Sequence, residues 1–463
     1  MSRITGLSRW VGAAALAAVL TVGISGADKA QAWTLEEAAK PYAGTEVRGI
    51  CDGYASCMAY VGLTEEFEKL TGIKVKFDIT DLGAIQTQFL TDQITEASYF
   101  DLVEVISFST GVFPAQGFVH DWSGFIGNAA LKDPEVNFKE DLVPALYEVS
   151  TLYDGNLYSV PTKYVLAFMA YRHDLVNDEE KANFKAANGY DMPLPPTTWQ
   201  QYFDLSKFYT RKKGDMLAGQ TLDKNFYGTI VPFKRHIAAL YDYERILYNM
   251  GGRYTDEKGN VAIDESDAAV KALDFMLSLR PYSTPGYMES TWDEEYSEMC
   301  NGNVFVMFTW GDTTPYLEIP GDCPGSAGKM TYFAHPGEGL SMAEANNWMI
   351  PKSAKNPDAA YLFVQWINRK EIQARTMPMG ANPTRSDVYA MAEWSDPNWV
   401  NIQREQLYSS LEKNNKLVPR PNPPTWLAWA EIFTEELSNA GAGNQDAATA
   451  IANIAKRMRA AQE

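Results

Sequence analysis

Histidine and cysteine are scarce in this chain of 463 residues, four of each. The histidines, His120, His173, His236 and His335, are isolated. Without a His-x-x-x-His or Cys-x-x-Cys spacing, the short motifs that put two metal ligands on one helix turn are missing, so no metal or other cofactor is expected. A phosphate-cradling glycine loop ending in Lys-Ser or Lys-Thr is absent as well, so ATP hydrolysis by a P-loop is not expected of this chain. Basic side chains are outnumbered, 40 Lys and Arg against 59 Asp and Glu, and do not cluster. Nucleic acid is a poor partner for such a surface, because phosphate neutralisation needs grouped lysine and arginine. Long apolar runs are missing after residue 24, so no membrane-spanning helix is expected. Repeats and low-complexity tracts are missing too.

One apolar run does exist, Trp10 to Ile24, with Arg3 and Arg9 before it and Ala30-Gln31-Ala32 after it. About fifteen residues fall short of the roughly 20 that cross a bilayer, and charged, apolar and small-residue regions in that order read as a secretory signal cut near Ala32. No cysteine stands at a lipidation position, so a soluble protein of the Gram-negative periplasm is expected. Removing residues 1–32, whose net charge is +2, leaves 431 residues and takes the formal charge from −19 to −21. That charge serves solubility first and ligand steering second. A chain of this length exceeds the roughly 250 to 300 residues that one core supports, so two lobes are expected. In an oxidising compartment Cys51, Cys57, Cys300 and Cys323 suggest two bridges, with sequence order favouring Cys51–Cys57 and Cys300–Cys323; four free thiols are the alternative.

Aromatic residues make up 13% of the chain, with 12 Trp and 25 Tyr. Trp and Tyr pair an apolar face with a polar tip, which suits a cleft that binds polyhydroxyl ligands. The stretch Val61 to Phe77 shows how the chain is built. Leu63, Phe67 and Leu70 recur at helical spacing, Gly72 can end the helix in the left-handed conformation, and Ile73, Val75 and Phe77 alternate with Lys74 and Lys76 as a strand does. Helix, stop and strand in about seventeen residues open an α/β domain. Asp101 to Ile106 reads as a buried parallel strand, which makes Ser107 and Phe108 site candidates at its carboxyl end.

FEKLTGIKV within that opening resembles the first helix-to-strand junction of the family 1 extracellular solute-binding proteins, the carbohydrate receptors of ABC importers that include the maltose-binding type. Further blocks follow in the family's order. They are GNLYSVPTKYVLAFMAYRHDLV (155–176), PPTTW (195–199), NFYGTIVPF (225–233), YNMGGRYTDEKGNVAID (248–264), MCNGNVFVMFTWGD (299–312) and the segment 344–385, which ends in a glycine-x-x-proline-x-arginine return. The resemblance spans about residues 47 to 388 and is specific in order rather than in any one motif.

What the resemblance implies is a periplasmic binding protein type II-like fold, two α/β lobes with a ligand cleft between them. Residues 33–160 and 335–375 would form one lobe, 161–334 and 376–463 the other. The function implied is capture of a sugar, polyol or glycoside by clamshell closure and delivery to membrane permease subunits, by a monomer without catalysis. Candidate ligand contacts are Trp310, Trp348 and Tyr164 for stacking and Asp52, Asp81, Ser107, Asp312 and Asn347 for hydrogen bonding. Tyr54, Phe108, Lys163 and Gly311 complete the set. Tyr164 also reads as an ordinary strand aromatic, and a bridged CDGYASC loop could either preorder Asp52 and Tyr54 or compensate for poor packing. Trp426 and Trp429 read as core.

Two alternatives stay open at this point. A secreted glycoside hydrolase would share the signal and the aromatics but needs a carboxyl pair about 5 to 9.5 Å apart; the acids of TWDEEYSEMC (291–300) read instead as a solvated helix face. A polyamine receptor would use acids and aromatics together. Lys163, Lys234, Arg235 or Arg385 also keep an anionic sugar open.

Overall fold

A computed structural model describes residues 33–107, 109–147, 151–389, 391, 413–414, 416–421 and 423–463. The predicted signal segment and Phe108 lie outside the described residues. The strands are β1 (Glu46–Asp52), β2 (Lys74–Thr80), β3 (Leu102–Ile106), β4 (Leu152–Tyr153), β5 (Asn156–Leu157), β6 (Val160–Arg172), β7 (Met216–Leu217), β8 (Gln220–Thr221), β9 (Val306–Trp310), β10 (Met330–Phe333), β11 (Ser341–Met349) and β12 (Leu417–Pro419).

The opening helix-to-strand unit forms as its pattern demands. Thr64–Thr71 is a helix, Gly72 closes it at φ 73°, and β2 runs parallel to β1 with Val75 buried. Leu70 departs from the expected apolar face and is exposed, while Thr71 is buried in its place and hydrogen-bonds the Phe67 carbonyl. At the other helix starts the local chemistry is as read. Thr198 caps Trp199–Tyr209 in a reciprocal box with Gln201, and Pro357 occupies the first turn of Pro357–Ile367.

Main sheet order is β2-β1-β3-β11-β6-β10, with β9 also on β6 and β12 on β11. The three N-terminal strands are parallel; β11 is antiparallel to both β3 and β6. Strand β6 is thirteen residues long and buried throughout. Up to Leu166 it pairs with β11, and from Ala167 it pairs with β9. Thus one continuous strand passes from the sheet of the first lobe into the sheet of the second, and the cleft lies over that crossing. The core is divided into clusters, the largest of which runs through both lobes, from Ile50, Phe89 and Phe113 to Tyr202 and Phe433. Trp122, Trp348, Phe363 and Trp366 belong to one cluster, while Tyr202, Phe308, Trp426 and Trp429 belong to another.

Candidate functional site

In an open α/β sheet the carboxyl ends of parallel strands carry the ligand site. Here β1 ends at Asp52, and β6 and β11 run past it. Lys163 of β6 is 1% exposed, and its ammonium donates to Asp52 Oδ2 at 2.6 Å and to Asp312 Oδ2 at 2.9 Å. Burial alone would lower the Lys163 pKa, but Asp52, Asp312 and Glu104 outweigh it and hold the ammonium well above the ordinary lysine value. Asn346 of β11 extends this floor, donating to Asp52 Oδ2 at 3.0 Å and Glu104 Oε1 at 3.1 Å. Glu104 is fully buried and also accepts from Asp52 N and Thr162 Oγ1. Burial, with Asp52 beside it, raises its pKa from 4.5 to about 7 against the opposing pull of Lys163 and its hydrogen bonds.

Aromatic walls rise from this floor. Tyr241 comes from the buried helix Ile237–Asn249, Trp292 and Tyr296 from the helix Trp292–Cys300, and Trp310 from the end of β9. Tyr241 sits 5.6 Å, centroid to centroid, from both Trp292 and Trp310. Behind the Tyr241 ring lies Arg420 at 3.8 Å, and Arg245 lies 4.1 Å from the Trp310 ring. Arg420 is paired with Glu244 and with Glu344, whose Oε1 accepts from Tyr241 at 3.2 Å. Tyr54 closes the near side, with the Lys163 ammonium 4.9 Å from its ring centroid.

Together these groups border a chamber lined also by Leu82, Ile106, Val165 and Thr313. It opens past Tyr54, Leu82, Ile106 and Trp292 into a wider groove, flanked by Asp81, Gln86, Lys234, Arg235, His236 and Asp293.

Of the candidates named from sequence, the fold brings Tyr54, Lys163, Trp310 and Asp312 to the chamber, with Asp52 directly under Lys163 and Gly311 between the last two. Asp81 borders the outer groove and caps the helix Leu82–Ile94 through Ala84 N at 2.9 Å. Ser107 is buried behind Glu344, 3.5 Å from its Oε1. Tyr164, Asn347 and Trp348 lie elsewhere. Tyr164 packs with Val143 and Leu166, and Trp348 is wholly buried 5.5 Å from Phe77. Asn347 is buried, and its amide has no hydrogen-bond partner among the described residues.

Sequence reading missed Tyr241, Trp292, Tyr296, Thr313, Glu344 and Asn346. On the helix 292–300 Asp293 and Glu294 are exposed as expected, but Glu295 turns inward. Glu295 is 2% exposed, and its pKa is raised well above the usual value by burial and by Asp242. The structure joins Cys51 to Cys57 and Cys300 to Cys323, with Cα separations of 6.3 and 4.1 Å. Among the described residues the one cluster with metal-like spacing is Cys51, Cys57 and Glu104, and both of its sulfurs are taken by the bridge.

Comparison with known proteins agrees with this architecture. The family model for bacterial extracellular solute-binding proteins matches residues 62–400. A mannitol-binding protein of Pseudomonas aeruginosa is 24% identical over 362 residues, 75% of this chain and 76% of its own. A probable amino-acid ABC transporter periplasmic-binding protein of Sinorhizobium fredii is 22% identical over 366 residues, 75% and 74% of the two chains. Among solved structures, an ABC transporter solute-binding protein of Agrobacterium radiobacter in complex with ribitol has a TM-score of 0.75 at 21% identity, covering 91% of this chain and 100% of that one.

Proposed function

Because this chain belongs to the bacterial extracellular solute-binding protein family, we propose that it is the substrate-binding subunit of an ABC importer, taking up a sugar, polyol or glycoside in the chamber above Lys163. The observation that carries this reading is the chamber itself. Trp292, Trp310, Tyr241 and Tyr54 offer ring faces, while Asp312, Glu344 and Asn346 offer polar atoms at the same depth. Apolar C–H faces of a polyol stack on rings, and its hydroxyls donate to carboxylates, which make the stronger charge-assisted bonds. Ligand bridging the two lobes would favour the closed form by its differential affinity, which is clamshell capture.

The rest of the transport role belongs to the same proposal. The signal segment would export the chain to the periplasm with cleavage near Ala32, and a monomer would deliver ligand to permease subunits. Lobes of residues 33–160 with 335–375 and 161–334 with 376–463 would close over it. The relatives are binding proteins, and the chamber fits that role better than hydrolysis. A glycosidase keeps one acid protonated against the scissile oxygen, whereas none of the carboxyls whose pKa burial raises, Glu104, Asp242, Glu244 and Glu295, lines the chamber. Glu104, beneath the floor, has its oxygens already bonded to Asp52 N, Thr162 and Asn346.

A thermal-shift panel of sugars, alditols, glycosides, sugar acids, amino acids and polyamines tests the reading, with calorimetry and product analysis on each hit. Ligand at 100-fold excess over Kd stabilises the folded protein by about 2.7 kcal/mol. A carbohydrate or polyol that stabilises and is recovered intact supports the proposal; a cleaved one overturns it in favour of an enzyme.

A further inference from the structure

The chamber holds more carboxylates than cations, and its cations are already shared. Lys163 spans Asp52 and Asp312, and Arg420 spans Glu244 and Glu344. Each unit therefore has two acids to one base, and the members that line the chamber are Asp312 and Glu344. The next nearest cation, Arg245, stands behind the Trp310 ring and is paired with Asp242 at 3.6 Å. At the neck the sign is the same, since after burial it is Asp312 and Asp293 that push the Tyr54 phenol up. Buried charge without a partner is costly. Oδ2 of Asp312 takes the Lys163 ammonium, and no hydrogen bond to its Oδ1 occurs among the described residues.

Ring faces complete the picture. Trp292, Trp310, Tyr241 and Tyr54 line the same chamber, and a polyhydroxyl body stacks on them where a plain diamine offers only a flexible chain. An acid analogue adds a negative charge where the one cation lining the chamber, Lys163, is already committed to two aspartates. A neutral polyol leaves the excess charge uncompensated.

We infer that the best-matched ligand is a polyhydroxylated molecule carrying one ammonium group, an amino sugar or amino alditol, with its body against the Trp292 and Trp310 rings and its ammonium at Asp312. The inference rests on the polyhydroxyl reading of the same chamber and names the charge that reading leaves open.

Calorimetry on the mature protein with matched sets tests it: glucose, glucosamine and glucuronate; sorbitol, 1-amino-1-deoxysorbitol and gluconate; and putrescine. In a set that binds, the amino member is tighter than the neutral one by about tenfold or more, and the acid is weaker than both. Asp312→Asn brings the amino and neutral members to within about twofold of each other. In the unaltered protein, the advantage vanishes at a pH where the ligand amine has lost its proton, a control that needs no variant to fold. Neutral members that bind as tightly as their amino partners overturn the inference and leave the polyol reading standing. Putrescine binding alone, or no binding by any set, overturns both.

Discussion

Replacing Lys163 with methionine keeps the length of the stem and removes the one cation between Asp52 and Asp312. Both Lys163 and Asp52 are essentially unexposed, at 1% and 0%, and Asp312 is 8% exposed. Taking one partner from a buried ion pair costs about 3 to 5 kcal/mol, because the charge left behind has lost its water and gained nothing. The sign of the pH response separates this mechanism from simple packing loss. In the variant the folded-state pKa values of the orphaned aspartates rise above the ordinary value of about 3.9. The folded state then holds protons that the unfolded chain has released, so the cost is fully present above the raised pKa and shrinks as pH falls toward the unfolded value. In the unaltered protein Lys163 titrates well above 10.5 and is silent in that window. Guanidinium unfolding at pH 8 and pH 5, for the unaltered protein, Lys163→Met and Lys163→Met with Asp52→Asn, reads the effect directly. The expected loss is about 3 to 5 kcal/mol at pH 8, at most half of that at pH 5, with partial recovery in the double variant. A loss below about 1 kcal/mol, or one equal at both pH values, would mean that the aspartates are hydrated and the reasoning is wrong.

Trp310→Ala should weaken binding of whatever ligand the panel yields by about tenfold to a hundredfold, as expected for losing one stacked ring. Trp348→Phe, in the core beside Phe77, should leave that affinity unchanged and lower stability instead; calorimetry and denaturation on both variants decide. Glu104, with a folded pKa of about 7 against 4.5, should make stability fall as pH rises from 4.5 to 7. That component should be missing in Glu104→Gln, and an unchanged slope there would assign it elsewhere. Thiol titration of the unfolded, unreduced protein should find no free groups and, after reduction, four; four before reduction would refute the bridges.

The sequence revealed which segments meet at the cleft more fully than which side chains face it. Thr198, Pro357 and Gly72 act through their immediate neighbours, so their roles could be read locally. Lys163 was legible because it stands at a strand that joins two lobes. Its neighbour Tyr164 faces the opposite side of that strand, and period-two alternation means that a choice of parity decides every contact. The same ambiguity accounts for β11, where Asn347 and Trp348 are one and two positions past Asn346. Glu344 and Asn346 pair with Val165 and Lys163 on the chamber face, and an irregularity in the β6 pairing follows at once, between Asn346 and Asn347. No local pattern announces that irregularity. Tyr241 and Arg420 were out of reach for another reason. They meet at 3.8 Å from segments far apart in the chain, and nothing near either residue encodes the other. Trp292 was masked by Asp293, Glu294 and Glu295, which make its helix look wet although Glu295 points inward.

That distribution of residues bears on how the proposed capture would work. Four chamber residues, Lys163, Val165, Glu344 and Asn346, sit on the paired strands β6 and β11, beside the crossing of β6 between the lobes. Hinge motion displaces atoms least near its axis, so these four form a floor whose geometry is nearly the same in open and closed forms. Tyr54, Leu82 and Ile106 come from one side of the crossing and Tyr241, Trp292, Tyr296, Trp310, Asp312 and Thr313 from the other, so in the proposed closure these would change separation. The rings on the far side are backed by cations, Trp310 by Arg245 and Tyr241 by Arg420. Little side-chain entropy is then lost at the walls on binding, and the cost of capture falls on the relative placement of the lobes. Lys163 is the exception, since it joins Asp52 to Asp312 across the crossing. A bond that spans both sides favours the closed arrangement by itself. Lys163→Met should therefore speed ligand release as well as lower stability, and stopped-flow dissociation of a bound ligand would show an unchanged rate if the triad were only structural.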